Sequence, residues 1–511
     1  MSKYIKIYIW QFISIVVNFA SVFVVTPYIS SNVELYGIYS VVVAAYLFIS
    51  YADFGFLSAG MKYAAESYAR KNIEEEIKVL GFSGMVFLVF GSLYALGILV
   101  IAFDPSLLIS NLTNAEDVQF AKKLLLILAF SCPLLVIQRI IQIIFAIRLQ
   151  DYKYQRVTIA TNTLRLLSVF VFFELGDYLL VEYFLFAQFC TLLAVIIGLL
   201  MTKYSFKYPL RSFFRSFRFS KAIYHKTKKL AFTSIFLTIS WILYYELDPF
   251  VIAKVLGAES VAVYAIGLSI ITYFRAVFGI FFTPFIARFN HFVGLNDMDG
   301  LKRIFVDVLV LFLPVTVFSV LVIHLTMDNF VLSWVGQEYK DSIAIAEILV
   351  LSYIFSFITY PAGILIMAKE KVKLLYISGT IQPVIFWVGV ALTLSLVGLK
   401  SFAYFKVLAF LIETIFYSYI ILKFLELRPV SLLKKVFVPS ILPLGVVLLI
   451  VFLIKDIMPV SMSKVNLMLY FAWLSVPMLA GFVAYYFSSK VFRDYFKRLL
   501  HSVLPKLSTT R

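Results

Sequence analysis

Apolar stretches long enough to cross a bilayer recur along the whole chain, separated by short polar segments. Because an α-helix rises 1.5 Å per residue, about 20 apolar residues cover the hydrocarbon core of a membrane. Alternating segments of about ten residues, typical of membrane β-barrels, are absent from the sequence. The pattern therefore predicts an all-α polytopic membrane protein with fourteen transmembrane helices, at about 5–27, 37–59, 80–103, 124–147, 157–173, 179–202, 231–253, 261–287, 304–325, 343–368, 374–397, 401–422, 436–454 and 466–487.

Basic residues are distributed unevenly between the segments that connect these spans. Of the 45 Lys and Arg residues, 34 lie in the N-terminus, the even-numbered loops and the C-terminal tail, with loops counted in chain order. Because positively charged loops stay on the cytoplasmic side, we expect both termini to lie in the cytoplasm. The apolar stretch that follows Met1–Lys6 has no short region with a cleavage site, so we expect it to be a retained first span rather than a signal peptide.

The composition favours a membrane protein over a nucleic-acid-binding one. Only 14% of the residues are charged, whereas soluble globular chains have about 25%, and the mean hydropathy is +0.96. Loops that face anionic lipid account for the net charge of +17, so we predict no nucleic-acid partner. Cys132 and Cys190 lie in apolar spans without metal or redox spacing, which indicates helix packing.

One predicted inward loop, 203–229, carries more positive charge than the others. It contains nine Lys and Arg residues interleaved with five Phe residues. This combination is typical of a helix that lies in the interface of an anionic membrane. Docking of a substrate phosphate is the alternative interpretation, and the sequence leaves both open.

The six spans before this loop and the six after it are related in sequence. Each set opens with a span that ends near a proline, followed by a Glu and a Tyr five residues apart: Pro27, Glu34 and Tyr39 in the first, Pro249, Glu259 and Tyr264 in the second. Both sets begin inside, so the repeats are predicted to be parallel. We predict an N-lobe at 1–202, a basic cytoplasmic linker at 203–230, a C-lobe at 231–422, and two further helices with a basic tail at 423–511.

Short motifs near the repeats resemble those of a known family. They are Pro27 at the first exit, Glu34-x-Tyr36-Gly37, Asp53-x-Gly55 followed by the basic Lys62, and Leu256-Gly257-x-Glu259. With two six-helix lobes and two extra helices, the chain resembles the polysaccharide flippases of the Wzx type. Their superfamily, MOP, also contains the MATE drug exporters and the lipid II flippases. The position of Lys62 is often Arg in this family, and Lys is the poorer bidentate phosphate ligand.

The resemblance implies a function and its partners. It implies a V-shaped cavity between two lobes that opens alternately to each side of the bacterial cytoplasmic (inner) membrane. The implied cargo is an undecaprenyl-pyrophosphate-linked oligosaccharide repeat unit, moved from the inner to the outer leaflet for O-antigen (lipopolysaccharide) or capsule synthesis. Membrane lipids, and other polysaccharide assembly proteins, are the expected partners, and no cofactor is expected.

Three arginines lie deep inside predicted spans and are the candidate substrate-binding residues: Arg139, Arg165 and Arg275. A charge at the bilayer centre is costly, so it usually faces a cavity or pairs with an opposite charge. Guanidinium groups bind phosphate through paired donors, which suits a diphosphate cargo. Ion pairing with an acid on a neighbouring helix is the alternative, and it is left open for Arg139 and Arg165.

Three acidic residues within the spans are candidates for coupling or gating: Glu413, Asp53 and Asp248. Glu413 lies too deep to reach the interface and is a candidate for a proton or cation site, whereas Lys406, one heptad earlier, is shallow enough to snorkel. Asp53 and Lys62 lie near the inner end of span two. Asp248 precedes Pro249, which predicts a kink near the outer end of span seven.

The absence of certain motifs from the sequence reduces the number of possible functions. The sequence contains no Walker A phosphate loop and no clustered histidines, so we predict neither direct use of ATP nor a metal site. The longest outward loop, around Asp104–Lys123, is too short for the catalytic loop of a polysaccharide polymerase, and we expect no enzyme activity. A MATE-type cation-coupled drug antiporter and a lipid II flippase remain alternatives.

Overall fold

The computed structural model describes residues 3–112, 114–174 and 178–497, and this part consists of helices and short connections, with no strand. Residues 498–511 of the predicted basic tail lie outside the described residues. The chain divides into two compact units, Met1–Ala262 and Val263–Arg511.

The first unit consists of ten helices and the start of an eleventh. Long helices pack as neighbours, α4 on α5, α1 on α6 and α5 on α7, and α9 packs on α3. The helices are α1 (Lys3–Ile29), α2 (Val33–Phe48), α3 (Phe56–Ala69), α4 (Ile73–Phe103), α5 (Ala115–Ala146), α6 (Asp151–Phe173), α7 (Leu180–Phe206), α8 (Leu210–Arg215), α9 (Lys221–Trp241) and α10 (Asp248–Leu256).

The second unit contains the remaining helices. Here α17 packs on α18 and α20 on α21, and both α15 and α16 pack on α18. The helices are α11 (Ala258–Gly294), α12 (Met298–Leu313), α13 (Ser319–Leu325), α14 (Met327–Trp334), α15 (Lys340–Leu351), α16 (Ser356–Ala368), α17 (Val372–Val397), α18 (Lys400–Phe424), α19 (Pro429–Leu432), α20 (Ile441–Ile454) and α21 (Lys464–Ser488).

The number of membrane-spanning helices agrees with the prediction. Twelve helices in the described chain are long and apolar enough to cross a membrane, and two bent helix pairs raise the number to 14 if each pair is one span. Large apolar side chains on their outer faces are exposed, for example Phe452 at 81% and Leu396 at 80%. Such faces suit contact with lipid tails. The predicted all-α membrane fold is therefore confirmed.

Two of the predicted spans are bent, for different local reasons. The bend in span seven measures 44° and separates Lys221–Glu246 from Asp248–Leu256, which places it at the predicted Asp248-Pro249 step. A proline at the first turn of α10 needs no backbone hydrogen bond there, so it starts a new helix direction. The bend in span ten, 47°, lies between Gln337–Leu351 and Ser356–Ala368 and was not predicted.

Span two differs from the continuous helix predicted for 37–59. Helix α2 ends at Phe48 and a short 3₁₀ turn, Ile49–Tyr51, follows it. Phe54 and Gly55 then adopt positive φ angles of 45° and 70°, so the chain turns before α3 begins. The span observed at this position is Val33–Tyr51.

The basic loop after α7 is anchored on the first unit by its aromatic residues. Phe213 in α8 is buried, and together with Tyr208 it joins an apolar cluster with Ile77 and Ile140. Ser216 Oγ donates a hydrogen bond to the backbone oxygen of Ile77 at 3.0 Å. Part of the aromatic content of this loop therefore packs against the protein, whereas Phe219 is exposed.

Candidate functional site

Arg139 lies on α5, is exposed, and lines a small pocket of mixed polar and apolar side chains within the first unit. Its Nη1 donates a hydrogen bond to Gln142 Oε1 at 3.3 Å. The cavity has a volume of about 200 Å³, and Tyr46, Ser50 and Gln138 contribute to its lining. No carboxylate in the described part of the chain lies within ion-pair distance of Arg139. Arg139 therefore lines this pocket, and its role in substrate binding stays a prediction.

Arg165 lies midway along α6, near three tyrosines. Tyr39 and Tyr46 on α2 and Tyr183 on α7 are near enough to interact electrostatically with its guanidinium group. The Arg165 Nε is buried and has no hydrogen-bond acceptor among the described residues. Because Tyr46 also lines the Arg139 cavity, one tyrosine connects the two arginines.

Asp53 has a local structural role at the break in span two. Its Oδ2 accepts a hydrogen bond from the backbone N–H of Leu57 at 3.1 Å, in the first turn of α3. A side-chain acceptor at this place satisfies one of the free N–H groups at a helix start. Asp53 is also near enough to Arg139 for an electrostatic interaction. Its role in gating stays a prediction.

The turn after Asp53 requires a glycine at position 55. A Cβ added to Gly55 would lie 2.5 Å from Ser234 Cβ on α9 and 2.8 Å from the backbone oxygen of Ala231. Together with its φ of 70°, this close approach leaves no room for a side chain. The Asp53-x-Gly55 motif thus joins a helix cap to a close contact between α3 and α9.

The bend in span seven contains a turn of π-helix. Residues Ile242–Glu246 adopt this wider turn directly before α10, and π-turns occur frequently at functional sites. Asp248 follows it and is completely buried. The coupling or gating role predicted for Asp248 is not tested by its position and stays a prediction.

Arg275 lies on α11 and contacts a tyrosine of α16. The Tyr360 hydroxyl donates a hydrogen bond to the backbone oxygen of Arg275 at 3.3 Å. Tyr360 also interacts electrostatically with both Arg275 and Glu413, and its ring stacks on Phe282 at a centroid distance of 5.2 Å. Tyr360 therefore connects the candidate substrate residue Arg275 to the candidate coupling residue Glu413 within the second unit.

Glu413 on α18 is buried and is surrounded by neutral hydrogen-bond donors. Ser378 Oγ donates to its Oε1 at 2.6 Å, and Gln382 Nε2 donates to its Oε2 at 2.7 Å. The Tyr417 hydroxyl, one turn further along α18, also hydrogen-bonds to this carboxyl group. No cation in the described chain forms an ion pair with Glu413. Both carboxyl oxygens therefore have partners, and none of these partners carries a charge.

The structure corrects the interpretation of Lys406 and places Lys62 at the surface. Lys406 does not snorkel to the interface, because it is 1% exposed and its Nζ lies 5.2 Å from the centroid of the Phe386 ring. A cation–π contact can replace part of the lost hydration. Lys62 is exposed, and its Nζ lies 5.6 Å from the Tyr63 ring.

Sequence reasoning missed the neutral partners of these charged residues. Ser378 and Gln382 lie four residues apart on α17, a spacing that places two polar side chains on one face of an otherwise apolar helix. That spacing was a usable signal. Tyr360 and Tyr46 gave no signal, since tyrosines are frequent throughout the chain.

No group of three or more His, Cys, Asp or Glu side chains in the described chain is placed to hold a metal ion.

No protein-family model matches the chain, and no curated protein sequence matches it. Comparison with solved structures, in contrast, gives strong similarity over most of the chain.

The lipid II flippase MurJ, in an inward closed conformation, matches with a TM-score of 0.68 and 17% identity over 97% of this chain and 99% of that chain. An inward-facing multidrug resistance transporter of the MATE family matches with a TM-score of 0.58 and 13% identity over 85% and 100% of the two chains. A MATE structure in complex with MaL6 matches with a TM-score of 0.54 and 14% identity, over 84% and 97%. This chain is therefore a multi-pass membrane protein with the fold that MurJ and the MATE transporters of the MOP superfamily share.

Proposed function

We propose that this chain moves undecaprenyl-pyrophosphate-linked oligosaccharide repeat units from the inner to the outer leaflet of a bacterial cytoplasmic membrane. The cargo would supply O-antigen or capsular polysaccharide synthesis. The observation that carries the proposal is Arg139, an arginine inside a predicted span that lines a pocket and interacts electrostatically with Asp53 without forming an ion pair in the described chain. An arginine placed so is costly in a membrane unless an anion binds to it.

The chemistry of the three arginines suits a diphosphate. A guanidinium group donates parallel hydrogen bonds to two oxygens of one phosphate, and these charge-assisted bonds strengthen where water is scarce. Arg165, whose buried Nε has no acceptor among the described residues, has unused donor capacity. Arg275, in the second unit beside Tyr360, is the third proposed phosphate ligand.

The similarity to MurJ supports a lipid-linked cargo. MurJ is named a lipid II flippase, and the match extends over 97% of this chain, compared with 85% for the inward-facing MATE transporter. Alternating access, the mechanism implied by the resemblance to Wzx-type flippases, requires two lobes that move. Lipids and other polysaccharide assembly proteins are the proposed partners, with both termini in the cytoplasm.

Glu413 is the proposed coupling residue. Its carboxyl group is held by Ser378 and Gln382, which are neutral. Such a group can take up or release a proton or a cation without breaking an ion pair. Tyr360 interacts electrostatically with Glu413 and with Arg275. A change of charge at Glu413 would therefore alter the electrostatic environment of Arg275 through Tyr360.

A lipid II flippase is the second candidate, favoured by the TM-score of 0.68 to MurJ. Both cargoes carry a polyprenyl diphosphate, so the arginines do not distinguish them. A MATE-type drug antiporter is the third candidate, but most of its expected substrates are cations, which deep arginines would repel.

A leaflet assay in cells tests the proposal. The gene is deleted in a strain that also lacks the polymerase, and the repeat units exposed on the outer leaflet are labelled. We expect the lipid-linked units to accumulate on the cytoplasmic leaflet and the wild-type gene to restore outer-leaflet labelling. Unchanged outer-leaflet labelling in the deletion strain would contradict the proposal, and rescue of a strain depleted of its lipid II flippase would favour the second candidate.

A further inference from the structure

The bend in span seven brings together aromatic and acidic side chains that the arginine and glutamate sites do not use. They are Tyr51 at the end of span two and Trp241, Tyr245 and Glu246 in span seven, all within the first unit. We propose that this cluster binds a sugar of the lipid-linked oligosaccharide, and that the sugar is uncharged or amino-substituted rather than a uronic acid. The inference rests on the proposed function and specifies which part of the cargo is recognised here.

A single carboxyl oxygen organises the cluster. Trp241 Nε1 donates to Glu246 Oε1 at 3.2 Å, and the Tyr51 hydroxyl donates to the same oxygen at 3.3 Å. Trp241 Nε1 also donates to the Tyr51 hydroxyl at 3.1 Å. These bonds fix the direction of the indole ring and of the carboxyl group, whose two oxygens together offer about four acceptor sites.

The π-turn explains why these side chains lie on one side of the helix. Leu247 N–H donates to the Ile242 oxygen at 3.0 Å, five residues back, so in this turn residue i+5 lies beneath residue i. Glu246 therefore lies below Trp241, and Tyr245 lies next to it, with its ring centroid 4.3 Å from that of Trp241. A regular α-helix would turn Glu246 away from the indole ring.

Exposure distinguishes the members of the cluster from a packed core. Tyr244 is 1% exposed and packs into the protein, whereas its neighbour Trp241 is 38% exposed. Tyr245 and Glu246 are half-buried. A carboxyl group on a lipid-facing surface costs several kcal/mol, so the face that carries Glu246 is better suited to a space that contains water and cargo than to lipid tails.

Pyranose sugars match this combination of groups. A pyranose ring has an apolar face of C–H groups that packs on aromatic rings, and hydroxyl groups at its edge that donate hydrogen bonds. The tilted Trp241–Tyr245 pair offers the ring surface, and Glu246 offers the acceptor. The same carboxylate would repel the carboxylate of a uronic acid, which limits the class of sugar.

Tryptophan fluorescence of the purified full-length protein tests the site directly. The probe is the phosphate-free oligosaccharide released from the cell's own lipid-linked repeat units by mild acid. We expect a saturable change in fluorescence that disappears in Trp241→Phe and persists in Trp473→Phe, the matched control. In Glu246→Gln the same change should require about tenfold more oligosaccharide, and in the exposed control Glu338→Gln it should be unaltered.

The outcomes separate this inference from the proposed function. Equal responses from wild type and Trp241→Phe, or an unchanged affinity in Glu246→Gln, would overturn the sugar site while leaving the leaflet assay to decide the function. If the wild-type gene restores flipping, we expect Trp241→Ala to reduce it and Trp241→Phe to retain more of it. If Trp241→Ala flips repeat units as fast as wild type does, the site is wrong even though the flippase is right.

Discussion

Arg148 Nη2 lies 2.8 Å from Glu76 Oε1, and both side chains are almost completely buried, at 5% and 1% exposed. This ion pair joins the end of α5 to the start of α4. The Arg148 guanidinium also donates to the backbone oxygen of Ile144 at 2.9 Å and lies 4.8 Å from the centroid of the Tyr68 ring. The pair therefore links the ends of two helices on the side of the protein that is rich in Lys and Arg and is predicted to face the cytoplasm.

Removing one member of this pair should destabilise the protein strongly. Arg148→Ala leaves the Glu76 carboxylate buried without its partner, which costs about 3–5 kcal/mol. We expect a clearly lower thermal unfolding temperature in detergent and a lower amount of protein in the membrane. The control is Lys78→Ala, which removes an exposed partner of Glu74 at 3.8 Å and should cost about 1 kcal/mol or less. Equal losses of stability in Arg148→Ala and Lys78→Ala would contradict the structural role of the Arg148–Glu76 ion pair.

Gly37 marks a close approach between the start of α2 and the start of α11. A Cβ at Gly37 would lie 2.0 Å from the backbone oxygen of Ala258. Two motifs of the family resemblance, Glu34-x-Tyr36-Gly37 and Leu256-Gly257-x-Glu259, therefore meet at Gly37 and Ala258. Because a backbone atom cannot rotate aside as a side chain does, Gly37→Ala should cost at least about 1–3 kcal/mol.

The test of this contact is membrane abundance together with thermal unfolding. Gly97→Ala is the matched control, since a Cβ at Gly97 on α4 meets no atom within 4 Å. We expect Gly37→Ala to fall well below wild type and Gly97→Ala to equal or exceed it. A Gly37→Ala protein as stable as the Gly97→Ala protein would show that α2 and α11 can move apart at Gly37 without a loss of stability.

Glu413→Gln should separate coupling from folding. An amide keeps an oxygen for one donor and nearly the same volume, but it cannot exchange a proton at neutral pH. We expect normal membrane insertion with flipping reduced by about tenfold or more, measured as outer-leaflet labelling of repeat units. Exposed Glu338→Gln is the control and should flip normally. Wild-type flipping by Glu413→Gln would remove Glu413 from the coupling mechanism.

Lysine should replace Arg139 only in part. Arg139→Ala removes the cavity cation, and losing one or two charge-assisted hydrogen bonds to phosphate corresponds to about 10- to 100-fold in transport. Arg139→Lys keeps the charge but loses the paired donors, so we expect an intermediate rate. Exposed Arg303→Ala is the control. Equal rates for Arg139→Lys and Arg139→Ala would mean that charge alone contributes nothing.

Arg275→Ala should abolish surface polymer while the protein inserts into the membrane normally. The Tyr360 bond is made to the backbone oxygen of residue 275, so it does not depend on the arginine side chain. Surface polymer measured by immunoblot, with the amount of membrane protein as reference, checks this. Full polymer in the variant would exclude Arg275 from the site.

The sequence predicted the fold because apolar length and loop charge are local properties. Each span of about 20 apolar residues could be read without knowing its neighbours, and the step at Asp248-Pro249 predicted the bend in span seven. The break at Phe54 was missed because apolar residues continue through it, and only the positive φ angles of Phe54 and Gly55 reveal the turn.

The site was predicted only in part, because its partners come from distant segments. Arg275 and Tyr360 are 85 residues apart, and Ser378 lies 35 residues from Glu413; packing alone brings them together. Lys406 was expected to snorkel because its depth was judged from span position alone. Its contact with Phe386 depends on how α17 packs on α18.

Flipping by the purified protein is the most direct measurement of the central claim. The full chain is reconstituted into liposomes that contain fluorescently labelled, undecaprenyl-pyrophosphate-linked repeat units in both leaflets, and a membrane-impermeant reagent destroys the outer-leaflet label. We predict that nearly all the label becomes accessible with wild-type protein, and that only the outer-leaflet share becomes accessible with Arg275→Ala or in protein-free liposomes. Accessibility with wild-type protein no greater than in protein-free liposomes would contradict the account.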